Sequence, residues 1–403
     1  MSLAPLAPPR TDVTREVATS DLRNGAGAAF EGNQIEREHL GALDGLRGVA
    51  ILSVILFHSL SSAPQRSLLD KIVVHIASLG WTGVDLFFLL SGFLITGILI
   101  DQRLRPKYFR TFFVRRVLRI VPAYAAFLIF MMFIAPLLGM LEKTDALRLR
   151  DLQLWYWSYL VNIYIALHGW AAAAGGTTHL WSLAIEEQFY LLWPIAVLIF
   201  SPRALPRLAL ACAVMAECVR IAFVLSGLPR EVSYVLLPAR IDTLALGALL
   251  ACATRSPGLL AKIYSSRAIV LGASFTALCT VLIIEHTLDF QQPLTQLIGY
   301  SAIAALSGWL VLYAVGSHGW LTIKPLRFIG KYSYAMYIWH GLVIGLVART
   351  TRLGGLQLNW ASSLSSYALF VTVVIVGTIG VALLSWALIE RPFLRMKRLV
   401  PYA

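Results

Sequence analysis

The chain has 403 residues, of which 58% are hydrophobic and only 14% charged, and its mean hydropathy is +0.73. A soluble globular domain of this length carries far more charge, so that class is excluded. The formal net charge of +13 does not call for nucleic acid in so apolar a chain; it fits basic loops held against anionic lipid.

Residues 1–40 are polar, mixed in charge and dotted with Pro and Gly, with no apolar core of the signal-peptide kind. They read as a flexible cytoplasmic tail ahead of a membrane domain over 41–398. From there apolar runs of about 18–22 residues recur, each long enough to cross about 30 Å of hydrocarbon, whereas a transmembrane barrel would show short alternating segments. The first span, 43–61, contains LDGLRGVAILSVILFHS and carries Asp44, Arg47 and His58. Arg47 and His58 are separated by about 16 Å of helix rise and lie within about 20° of one direction, with Asp44 near the same face. The span therefore has a polar stripe that starts at one surface and ends on an interior imidazole. Such a ring can be neutral in a bilayer and still accept and return a proton.

The second span, 80–101, buries Asp85 near its outer end. The loop RLRPKYFRTFFVRRVLR at 103–119 is strongly basic and should be cytoplasmic, which sends the third span, 120–140, outward. The next apolar stretch, LWYWSYLVNIYIALH at 154–168, is short and aromatic. If it crossed, the basic loops at 255–267, 324–331 and 390–398 would all lie outside; if it does not, all three lie inside. We therefore expect a re-entrant or interfacial segment there. The fourth span, 179–200, carries Glu186 and Glu187. Spans 207–227 and 233–254 follow, the latter with Arg240 and Asp242. Spans 268–285 and 296–316 are nearly free of charge, and span 332–349 sets Tyr337 and His340 one turn apart. The last span is 363–388. The expected fold is thus an all-α polytopic membrane protein of about ten transmembrane helices plus one re-entrant or interfacial segment, with both termini cytoplasmic in the inner membrane. Cys212, Cys218, Cys252 and Cys279 fall inside apolar runs at no metal-ligand or disulfide spacing. Ionisable side chains scattered over several lipid-facing surfaces would be prohibitive, and convergence on one polar cavity is the economical expectation.

The segments LDGLRGVAILSVILFH, GVDLFFLLSGFLIT, FFVRRVLRIVPAY, LWSLAIEEQFYLLWP, RIDTLALGALL, SYAMYIWH and ERPF occur in that order. Together they resemble the acyltransferase 3 family of integral membrane O-acyltransferases, over roughly 40–395. The resemblance implies transfer of an acyl group, most often acetyl, from cytoplasmic acyl-coenzyme A to a hydroxyl of a glycan or glycolipid; some members acylate macrolides. His58 matches the family's essential histidine and Arg47 its paired basic residue, while Arg115, Arg116 and Arg119 match its RRxxR pattern. Some members add a C-terminal hydrolase-like domain, which is not expected here because the sequence stops at Ala403.

On this reading Arg47, Arg115, Arg116 and Arg119 bind the phosphates of acyl-coenzyme A. His58 is either general base on the acceptor hydroxyl or a transient acyl carrier. Asp85 or Glu186 would orient its ring as in a triad. Arg240 or Tyr337 would stabilise the oxyanion, with Arg240–Asp242 equally readable as a structural pair. Asp242 and His340 would complete the substrate site, His340 more as a packing or acceptor contact than as a second base. No metal is expected, and the remaining histidines, His179 among them, are given no chemistry. Two rival classes share the polar interior: a proton-coupled transporter, which would not depend on coenzyme A, and a scaffold whose activity would survive His58→Ala.

Overall fold

The computed structural model describes residues 41–60, 67–316, 319–350, 352–353, 356–357 and 363–401; the expected tail, 1–40, lies outside them. The described chain is a helical bundle, relieved only by a hairpin that pairs Arg352–Leu353 with Leu356–Gln357. Its long helices are α1 (Gly41–Leu60), α2 (Leu68–Gln102), α3 (Tyr108–Leu137), α4 (Leu180–Ile199), α5 (Leu205–Leu225), α6 (Arg230–Ala253), α7 (Arg267–Glu285), α8 (Thr295–Gly316), α9 (Lys324–Arg349) and α10 (Ser365–Leu399). Among the described residues, nine of these are both long and apolar enough to cross a membrane. Helix α9 has 26 residues, about 39 Å of rise, so it is long enough too. Lys324, Arg327 and Lys331 in its first turns and a run of Tyr, Trp and His make it less apolar.

Three helices extend well beyond their expected spans. Helix α2 starts at a Ser67 capping box, in which Ser67 and Asp70 satisfy each other's backbone N–H groups, and tightens into a 3-10 turn at Leu79–Trp81. Helix α3 begins at Tyr108, so most of the basic stretch expected as a loop is helical. Helix α10 continues through Arg391–Met396 into a last turn at Lys397–Leu399. The aromatic stretch after α3 forms two short helices, Gln153–Trp157 and Val161–His168. The longer spans about 12 Å, too little to cross.

Helix α6 lies between α2 and α5, and α8 closes on α2, α6 and α7. Glycines set the closest approaches. A Cβ on Gly92 would strike the Leu244 carbonyl, and one on Gly247 would strike the Leu89 carbonyl. Helices α2 and α6 therefore touch backbone to backbone, the usual device where lipid gives no hydrophobic drive between helices. Gly80 and Gly83 likewise hold α2 against the Ser53 and Ala50 carbonyls of α1. The central helices α2 and α6 are thus the most buried, while α5 and α7 lie at the periphery with most of their apolar surface turned outward.

Candidate active site

Polar residues of α1, α2, α3, α4, α9 and α10 converge on a cavity of about 350 Å³ at one end of the bundle. Its lining follows helical spacing: Val84, Phe87, Phe88, Ser91, Ile95 and Ile98 from α2, and Ser182, Leu183, Glu186, Glu187 and Tyr190 from α4. Arg47, Arg115, Arg116, Arg119 and Lys397 bring five cationic side chains to it against the two glutamates, a formal excess of three positive charges. Arg47 also pairs with Asp44 at 2.7 Å, so its anchoring and cavity-lining roles coexist. The Glu186 carboxylate accepts from Ser91 Oγ at 3.0 Å and from the Tyr190 hydroxyl at 3.0 Å. The guanidinium of Arg116 lies over the Tyr190 ring at 5.5 Å.

A second cavity of about 160 Å³ contains His58. Aromatic side chains wall it: Phe57, Trp81, Trp170, Trp181, Tyr234 and Phe290. The Tyr234 ring packs 4.3 Å from Phe290 and 4.5 Å from Trp181, centre to centre. Phe290 and Gln291 belong to the segment between α7 and α8. That segment is fixed by its backbone: the Phe290 carbonyl accepts from the Tyr300 hydroxyl at 2.6 Å and from Gln296 Nε2 at 3.1 Å, and the Leu288 carbonyl accepts from Trp81 Nε1 at 3.0 Å. Val84 and Tyr337 line both cavities. The basic space and the histidine space therefore meet at a partition of two side chains.

His58 Nδ1 lies 2.9 Å from the Val54 carbonyl, one turn back along α1. A carbonyl oxygen can only accept, so in the neutral ring Nδ1 carries the proton and Nε2 the lone pair. The helix itself fixes the tautomer that a carboxylate fixes in a triad. His340 Nδ1 makes the same kind of bond to the Tyr337 carbonyl at 2.6 Å, and its buried Nε2 has no hydrogen-bond partner. His179 uses Nε2 on the Ile338 carbonyl at 3.2 Å. The His340 ring centre is 5.0 Å from that of His58 and 4.5 Å from that of His179. The Tyr337 hydroxyl donates to the His179 carbonyl at 3.0 Å and lies 2.5 Å from Ser182 Oγ.

Several expected placements are corrected. Asp85 does not orient His58: its Oδ1 accepts from Arg240 Nη2 at 2.6 Å and from Thr243, and its Oδ2 has no partner. Glu186 does not orient it either, because both its oxygens are engaged in the basic cavity. Arg240 and Asp242 are not a pair and line neither cavity. Arg240 is sealed between Asp85 and the Tyr300 ring, 4.3 Å away, while Asp242 accepts from Arg220 at 2.8 Å. Arg115 turns partly away from the cavity, its Nη1 donating to the Lys397 and Val400 carbonyls at 3.2 and 2.8 Å. His179, Ser91, Ser182 and Lys397 belong to the two cavities although sequence reasoning gave them no role. His179 had a signal: it opens the motif HLWSLAIEEQFY and shares a helical face with Ser182 and Glu186. No group of three or more His, Cys, Asp or Glu side chains among the described residues is arranged to hold a metal ion.

Comparison with known proteins gives a consistent picture. A family model described as an acyltransferase domain matches residues 40–389. The peptidoglycan O-acetyltransferase OatA of Listeria monocytogenes is 29% identical over 383 residues, 88% of this chain and 56% of that protein. The putative peptidoglycan O-acetyltransferase YrhL of Bacillus subtilis is 28% identical over 345 residues, 78% of this chain and 50% of its own. The O-acetyltransferase OatA of Staphylococcus aureus is 31% identical over 339 residues, 77% of this chain and 51% of its own. The chain thus spans about half the length of these relatives. No solved structure matches it.

Proposed function

The chain belongs to the acyltransferase domain family, and from that premise we propose that it moves an acetyl group from acetyl-coenzyme A, bound at the basic cavity from the cytoplasm, to a hydroxyl of a glycan that enters the aromatic cavity from the other side of the inner membrane. The observation that carries this reading is the pair of cavities meeting at Val84 and Tyr337. A donor rich in phosphate needs cations at its nucleotide end, and a thioester must then reach a base. About 16 Å of helix rise separates Arg47 from His58, the order of an extended pantetheine arm. The peptidoglycan acceptors named for the Listeria and Bacillus relatives favour a saccharide here.

The chemistry follows from the tautomer. With Nδ1 committed to the Val54 carbonyl, His58 Nε2 takes the proton of the acceptor hydroxyl as its oxygen attacks the thioester carbonyl carbon. The tetrahedral oxyanion forms beside the partition, where the Tyr337 hydroxyl would have to turn from the His179 carbonyl to donate to it. The carbon–sulfur bond then breaks, and the leaving thiolate takes the proton back from the imidazolium. Base catalysis is favoured over an acyl-histidine because one step suffices and no second nucleophile is needed.

The test is mass spectrometry of cell-envelope glycans from cells carrying the intact gene, no gene, or His58→Ala. The intact gene should add one acetyl mass, and His58→Ala should lower that signal by at least about 100-fold at an unchanged protein level. Normal acetylation by His58→Ala would overturn the reading.

A further inference from the structure

The basic cavity holds a cation that the motif pattern does not announce. Lys397 lies in the last turn of α10, on the far side of the chain from RRxxR, yet its side chain lines the same cavity as Arg47, Arg116 and Arg119. What brings it there is Arg115, whose Nη1 holds the Lys397 and Val400 carbonyls against α3. A guanidinium engaged by backbone acceptors has fewer N–H groups left for an anion. We infer that Lys397 is a phosphate ligand of the donor site and that Arg115 is its positioning residue, so the last turn of α10 is part of the acyl-coenzyme A site.

The inference rests on the donor reading above. It also divides the RRxxR pattern. All three arginines line the cavity, but Arg115 alone also clamps the turn that delivers the further charge. An ammonium with three rotatable donors on a flexible stem suits a phosphate that shifts as the donor enters and leaves.

The test is equilibrium binding to the full chain in lipid nanodiscs, with acetyl-coenzyme A and with S-acetylpantetheine, which keeps the thioester arm and lacks every phosphate. Lys397→Ala should weaken acetyl-coenzyme A binding about tenfold and flatten its salt dependence, leaving S-acetylpantetheine unaffected. Lys397→Arg should restore most of the loss. Arg115→Ala should give the same phosphate-specific loss, and the double variant should be no worse than the weaker-binding single within about twofold. Equal losses for both donors, or losses that multiply in the double variant, would overturn the assignment. If intact protein binds acetyl-coenzyme A and Lys397→Ala binds it as well, only this inference fails; if intact protein binds neither donor, the donor reading fails and takes this inference with it.

Discussion

At the scale of single residues, the Asp85–Arg240 pair shows how a buried charge misleads sequence reasoning. Both side chains are fully buried, and two rings, Tyr300 and Tyr234, face the guanidinium. Removing one partner leaves the other charge uncompensated, at a cost of about 3–5 kcal/mol. Arg240→Ala should therefore lower the unfolding midpoint of the detergent-solubilised protein and its level in membranes. Asp85→Ala combined with Arg240→Met, which removes both charges, should recover much of that loss. A stable Arg240→Ala protein that binds donor but does not transfer would instead return Arg240 to the reacting atoms. In the sequence, Asp85 read as a catalytic candidate and Arg240 as an oxyanion or substrate contact, or equally a structural pair with Asp242, because an ionisable group inside a span is costly and needs a reason. The reason here is a neighbour on another helix. Helix rise and periodicity tell which face a residue occupies, and so His58 and Arg47 were legible as one stripe. They do not tell which helix stands opposite, and so the partners of Asp85, Asp242 and Glu186 were not. The orienting partner of His58 was illegible for a different reason: it is a main-chain carbonyl, which no side-chain pattern records.

At the scale of the helices, the glycine that begins the α2 motif, Gly83, explains why α1 can present His58 at all. A Cβ on Gly83 would come 2.5 Å from the Ala50 carbonyl and 3.1 Å from a Val54 methyl. Val54 is also the residue whose carbonyl holds the His58 ring. A larger side chain at Gly83 must push α1 outward and shift that carbonyl with it. Gly83→Val should lower stability by about 1–3 kcal/mol and reduce transfer by more than the folded fraction accounts for. Gly272→Val is the control: no heavy atom lies within 4 Å of its added Cβ, and its effect should stay within about 0.5 kcal/mol. Comparable losses in both variants, read by thermal unfolding in detergent, would show that glycine at position 83 serves helix flexibility and not close approach. The spans themselves were legible because apolar length is a strong signal. Their ends were less so. Helix α3 runs on through Arg110, Arg115, Arg116 and Arg119 because arginine is a good helix former, and a polar composition alone does not end a helix.

At the scale of the whole molecule, charge and cavity agree on direction. If the ten long helices among the described residues all cross and 153–168 does not, Gly41 and Pro401 fall at the same end of the bundle. The segments that share this end carry Arg103, Arg105 and Lys107, then Arg203, then Arg255 and Lys262, and finally Lys324 and Arg398. The cavity with an excess of cations opens among the same helix ends, so a single asymmetry would both orient the protein and draw an anionic donor to its mouth. This arrangement predicts a labelling pattern. In a chain whose four cysteines are changed to alanine, Leu104→Cys and Gly258→Cys should react with a membrane-impermeant maleimide only after cells are permeabilised. Both sites are open: Leu104 is 95% exposed, and nothing lies within 4 Å of a Cβ on Gly258. Leu138→Cys, just beyond α3, should react in intact cells. If 153–168 crossed after all, Leu104→Cys would keep its side but Gly258→Cys would move to the outside. Labelling of Gly258→Cys in intact cells would therefore place the second half of the bundle upside down. It would also separate Lys397 from Arg115 by the thickness of the membrane, which their shared contact does not allow.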